Sequence, residues 1–164
     1  MATIEEQKEA YVKYIENHRD NVRHAHSIMV SKCRDMLLSN NVSLEQLEIN
    51  VKNHDLSKYT KEEFEPYRKK FFPIEGEIID KNEFEKAVFH HYTHNKHHWN
   101  YWIGQSKEME PIYVVEMTLD WIAMGIQFNN TAIEYYEKNK DKITLSKKSE
   151  ELFYNLANEY YNLI

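Results

Sequence analysis

Only three glycines and three prolines punctuate a chain of 164 residues, and that scarcity constrains the fold more than any other feature. Glycine and proline are the strongest local punctuators of turns and strand ends, so a chain this poor in both is confined to long, continuous elements. Within them Glu, Lys, Leu, Met and Tyr recur at spacings of three and four, the helical period. Tyr11, Ile15, His18, Val22, Ala25, Met29, Cys33 and Met36 alternate steps of four and three along one face and predict a first helix from about Ile4 to Leu38. His18 sits inside that apolar stripe, His26 borders it and His24 points away.

Further along, Ser43 with Gln46 reads as a capping box opening a second helix through "LEQLEINVKNHDLSKY", with Leu47, Val51, His54 and Lys58 on its inner face. Thr60 with Glu63 predicts another capping box, starting a short helix that ends near Pro73. Residues 73–82, "PIEGEIIDKN", read as a connection. A fourth helix carries Phe84, Ala87, Val88 and His91 on one face, with His90 beside it. Pro111 opens a fifth running to about Lys138, and "TLSKKSEELFYNLANEYYNLI" forms a final amphipathic helix. The expectation is an all-α single domain over residues 1–164, a bundle of about six helices, long enough to bury a core without a disulfide or structural metal. There is no internal repeat.

Charge and composition exclude some functions. No apolar run reaches the length needed to cross a bilayer. A net charge of -6 argues against an extended nucleic-acid surface, which depends on Lys and Arg neutralising phosphates. The N-terminal "MATIEEQKEAYVKYIENH" lacks the apolar core and cleavage site of a secretory signal, which predicts a cytoplasmic protein. The lone Cys33 reads as a small core residue rather than a nucleophile.

Chemistry is concentrated in histidine. Residues 90–99, "HHYTHNKHHW", hold five histidines in ten positions, a pattern that by itself fits a metal site, a solvated patch or a chance run. "HDLSK" at 54–58 sharpens it. On a helix, adjacent His54 and Asp55 stand about 100° apart, so both reach one ion, or Asp55 bridges two ions through its two oxygens. Two ions about 3.5–4 Å apart clamp attacking and leaving oxygens in phosphoryl displacement. Asp120 has Glu116 one turn earlier amid Val115, Leu119, Ile122 and Ala123; burying two carboxylates there is costly without a cation, although Glu116 also reads as solvent-facing. Lys58, three residues after Asp55, either reaches a bound phosphate or pairs with Glu62. Trp99, Trp102 and Trp121 either pack in the core or stack on a base.

The order of these elements, His18, then His54-Asp55, then the run at 90–98, then Asp120, resembles the HD-domain superfamily of metal-dependent phosphohydrolases. "HDLSK" looks like the HDxGK of the HD-GYP phosphodiesterases. "HDLSKYTKEEFEPYRKKFF", "HHYTHNKHHWNYW" and "EMTLDWIAMG" look like a family of small bacterial and phage HD-like proteins of unassigned function. The resemblance implies His18, His54, Asp55 and Asp120 as core ligands, and His91 and His98, with His90 or His97 as alternates, for a second metal; His94 is incidental. It implies one or two divalent transition metals (Mn, Fe, Co, Ni or Zn) and a small phosphorylated substrate, a nucleotide or cyclic nucleotide among them. Asp55 and Lys58 would then carry catalysis. The chain lacks a GYP segment, and Lys58 stands where nucleotidases of the HDxxE type have Glu, so neither narrower activity follows. Competing expectations are a di-iron enzyme activating oxygen on the same ligands and a non-catalytic module that binds a nucleotide or a protein.

Overall fold

The computed structural model describes residues 1–162, and among them every regular element is a helix. Nine α-helices and two short 3₁₀ helices replace the expected six: three of the expected long helices are broken, and short helices at Trp99–Gly104 and Lys140–Lys142 lie where none was expected. The first stops at Lys32. Its N-terminus carries a full capping box, Thr3 accepting from the Glu6 amide and the Glu6 carboxylate from the Thr3 amide, which satisfies two of the donors that every helix start leaves free. α1 (Ile4–Lys32) buries Tyr11, Ile15, His18, Val22, Ala25 and Met29. At Cys33 the backbone leaves the helical region (φ -111°) and α2 (Arg34–Ser39) follows, with the thiol facing the Leu156 carbonyl.

α3 (Leu44–Lys52) is capped by the Ser43 hydroxyl, but Gln46 turns away to Asn50, so only half of that box forms. The helix ends before the His-Asp pair, and residues 56–59 form a 3₁₀ turn. α4 (Phe64–Phe71) begins without a side-chain cap: the Thr60 hydroxyl bonds the Ser57 carbonyl, and Glu63 points inward. The predicted Thr60–Glu63 box is therefore absent. α5 (Lys81–His94) is capped by Asp80, and α6 (Trp99–Gly104) follows a short turn that carries His97 and His98.

α7 (Pro111–Phe128) is the axis of the molecule. Every residue from Val114 to Ala123 is buried, the signature of a helix with neighbours on all sides; it packs on α1 and on α9 (Lys147–Tyr161). The expected continuation to Lys138 fails at Asn129, whose left-handed backbone (φ 57°) ends α7 before α8 (Ala132–Asn139) starts at the Thr131 cap. The reversal brings the Asn130 carbonyl against Gly125, where a Cβ would lie 2.4 Å from its oxygen. Only glycine fits. Aromatic Trp121, Tyr136 and Phe153 close the core between α7, α8 and α9. None of the described helices is long and apolar enough to cross a membrane.

Candidate metal centre

Side chains from five separate segments meet against the middle of α7. α1 supplies His18 and α7 supplies Asp120 and Glu116. The turn after α3 supplies His54 and Asp55, α5 supplies His91, and the turn before α6 supplies His97 and His98. His54 and Asp55 do not share a helix as the sequence reading expected. Asp55 adopts a left-handed conformation (φ 59°, ψ 16°), which is uncommon outside glycine and tolerated best by Asn and Asp. Arg19 of α1 holds the turn: its Nε donates to the His54 carbonyl at 3.0 Å and its Nη2 to the Lys52 carbonyl at 2.7 Å, replacing the hydrogen bonds that a continuing helix would have made.

That turn places the Asp55 carboxylate between two groups of ligands. Oδ2 lies 3.6 Å from Nε2 of both His18 and His54, and Asp120 Oδ1 closes the group at 2.8 Å from His18 and 3.3 Å from His54. Oδ1 lies 3.5 Å from His91 Nε2 and 3.3 Å from His97 Nε2, with His98 completing a second group of four. Within each group the candidate ligand atoms lie within 4.8 Å of one another. Ligands about 2.0–2.2 Å from one ion sit about 3–3.6 Å apart around a tetrahedron, the range spanned by most of these separations. Asp55 Oδ1, His97 Nε2 and His98 Nε2 are buried without a hydrogen-bond partner, an arrangement too costly to leave uncompensated. The donor set fits one or two transition-metal ions, and Asp55 is the residue common to both groups.

Two further carboxylates fix which face each imidazole presents. Glu116 Oε2 accepts from Nδ1 of His54 at 2.8 Å and of His97 at 2.9 Å, so both Nε2 atoms turn toward Asp55. His54, His97 and Glu116 also converge closely enough to form a third group, but there the histidines use Nδ1, the nitrogen that donates to the carboxylate; Glu116 orients ligands rather than being one. Glu63, fully buried, does the same for His91, accepting from its Nδ1 at 2.6 Å. Sequence reasoning left Glu116 open and gave Glu63 a capping role with Thr60, because in "TKEEF" its spacing from Thr60 suits a capping box and nothing local points to His91.

Of the histidine run, His91, His97 and His98 reach the cluster. His90 does not: its Nδ1 donates to the other oxygen of Glu63 at 2.6 Å and its ring stacks on His94, facing away from Asp55. His94 is exposed.

Against burial, Asp55 raises the His54 imidazole pKa to about 9 and Glu116 raises that of His97 well above its ordinary value, so both rings must give up a proton to bind metal. Burial works to raise the Asp55 pKa, but the neighbouring His54 and Lys58 charges outweigh it and hold the carboxyl well below the usual range. Asp120 behaves alike, burial being outweighed by the hydrogen bonds of His18 and His54, and Glu116 is held at about 2 against burial by His97 and His54. Burial and the adjacent His97 charge push His98 well below its ordinary value, leaving it neutral, the form that binds metal. Lys58 Nζ lies 3.0 Å from Asp55 Oδ2. Burial works against its charge, but Asp55 outweighs it and keeps the ammonium protonated.

The cluster opens into a cavity of about 630 Å³ whose wall includes Tyr11, Tyr14, Tyr67, Trp99, Trp121 and Lys58. Trp102 packs in the core instead, its indole N–H bonded to the Lys96 carbonyl. Fold and site together define an all-α protein with a buried His/Asp cluster able to hold metal ions. Residues 7–159 match DUF5662, a family of unknown function, and the chain belongs to that family. Neither a curated protein nor a solved structure matches it.

Proposed function

We propose that the protein is a metal-dependent phosphohydrolase of the HD type, acting on a nucleotide or related small phosphate ester. The observation that carries this reading is the Asp55 carboxylate, which gives one oxygen to each of two adjoining ligand groups. His18, His54, Asp55 and Asp120 would hold one ion, and Asp55, His91, His97 and His98 the other. Such ions supply positive charge against a developing oxyanion and lower the pKa of water.

The remaining work falls to side chains on the cavity wall. Lys58, charged and tethered to Asp55, reaches into the cavity to hold a nonbridging phosphate oxygen and neutralise charge there. Glu116 and Glu63 keep the imidazoles in the tautomer that presents Nε2. The aromatic wall excludes water and offers flat surfaces to the organic part of the ester.

A second reading, oxygen activation by iron on the same ligands, draws support from the wall itself: Lys58 and Lys142 are the lysines on a lining otherwise rich in Tyr, Trp, Phe and Met. A screen of nucleotides, cyclic nucleotides and phosphomonoesters against protein loaded separately with Mn, Fe, Co, Ni and Zn tests the first reading. Phosphate release that disappears in Asp55→Ala is expected. An iron-loaded protein with an oxygen-dependent visible band, inert toward every ester, would overturn it in favour of the second.

A further inference from the structure

The geometry points to a second transition-metal site, separate from the buried cluster, formed by His90 and His94 on the outer face of α5. The two residues are one helical turn apart, the spacing at which paired histidines on one face chelate a single ion. Their rings stack with centroids 3.8 Å apart and 14° between planes. Each Nδ1 is committed as a donor, His90 to the Glu63 carboxylate at 2.6 Å and His94 to the His90 carbonyl at 2.8 Å. Both lone pairs therefore sit on Nε2, the atoms left to bind. An oxygen acceptor behind the ring is the support that metal-ligating histidines regularly have, and for His90 that acceptor is a fully buried carboxylate.

The pair lines an open groove of about 450 Å³ on the far side of Glu63 from the inner cluster. Glu62 and Glu83 on its wall offset Lys61 and Lys86, so the imidazoles rather than local charge supply the attraction. Bringing both Nε2 atoms onto one ion needs a rotation of the His94 ring, which its exposure permits and which gives up the bond from its Nδ1 to the His90 carbonyl. A two-imidazole chelate completed by water follows the usual divalent order, strongest for Cu²⁺ and Ni²⁺ and weakest for Mn²⁺. The site uses none of the inner ligands, and it stands or falls apart from the proposed hydrolase activity.

Metal-free protein titrated with Cu²⁺, desalted and counted by elemental analysis tests it, with His94→Ala as the variant because an exposed ring is removed without disturbing the core. Wild type should carry one Cu²⁺ more than His94→Ala, and no such difference should appear with Mn²⁺. In an Asp55→Ala background, adding His94→Ala should again remove one Cu²⁺. Equal copper content and affinity in wild type and His94→Ala would overturn the inference, as would an equivalent lost on Asp55→Ala alone with nothing further lost on His94→Ala.

Discussion

At the scale of single residues, the site depends on side chains that set the direction of others. Glu116 accepts from two imidazoles with one carboxylate oxygen, and an amide at that position offers one accepting oxygen with less charge. Glu116→Gln should leave the fold intact and weaken metal binding about 10–100-fold, the usual cost of losing such a supporting acceptor; competition with a chromophoric chelator measures it. Lys58 predicts the converse pattern. Because it lines the cavity but belongs to neither ligand group, Lys58→Gln should retain stoichiometric metal while lowering phosphate-ester turnover about 100-fold, comparable to losing one preorganised donor. Unchanged turnover would remove Lys58 from the chemistry. His18 and Asp120 were legible in the sequence as polar residues inside apolar stripes. Glu63 was not, since its partners lie 27 and 28 positions away and local spacing carries no trace of them.

At the scale of elements, the helices were legible and their breaks less so. Apolar periodicity runs through Cys33 without a glycine or proline to interrupt it, and the turn at His54-Asp55 has no local signal because Arg19, in another helix, stabilises it. The break at Asn129 did have one: an asparagine pair suited to a left-handed C-terminus, then Thr131 with Glu134 three residues on. Gly125→Ala should cost about 1–3 kcal/mol, because the added methyl meets backbone that must shift; urea unfolding checks it. The connection between α4 and α5 is tied by the buried Arg68 guanidinium, whose Nη1 and Nη2 meet Glu77 Oε2 and Oε1 at 2.7 and 2.6 Å. Those bonds pull the Glu77 carboxyl down from 4.5 to about 2. A depressed native pKa means stabilisation that is complete above the unfolded value and lost as pH falls through the folded one. Glu77→Gln should therefore lower the urea midpoint at pH 7, with the gap to wild type narrowing below about pH 4.5 and closing near pH 2. A gap independent of pH would contradict that account.

At the scale of the whole molecule, a nearly all-apolar α7 carries two buried carboxylates, and the rest of the chain folds around them so that five histidines face inward. The all-α class and the far-apart halves of the site could be read from order and periodicity. That Asp55 could serve two ions was readable from the His-Asp pair; the left-handed backbone that aims its two oxygens and the Glu63 carboxylate behind the rings were not. The sharing of Asp55 between two ligand groups is the central claim. It is tested most directly by the metal content of desalted protein reconstituted with Mn²⁺, Fe²⁺, Co²⁺, Ni²⁺ or Zn²⁺, compared between His94→Ala and His94→Ala/Asp55→Ala so that the outer pair contributes nothing. The account predicts stoichiometric metal in the first and its loss in the second. Retention of the same metal content without Asp55, or no stoichiometric metal in either, would contradict it.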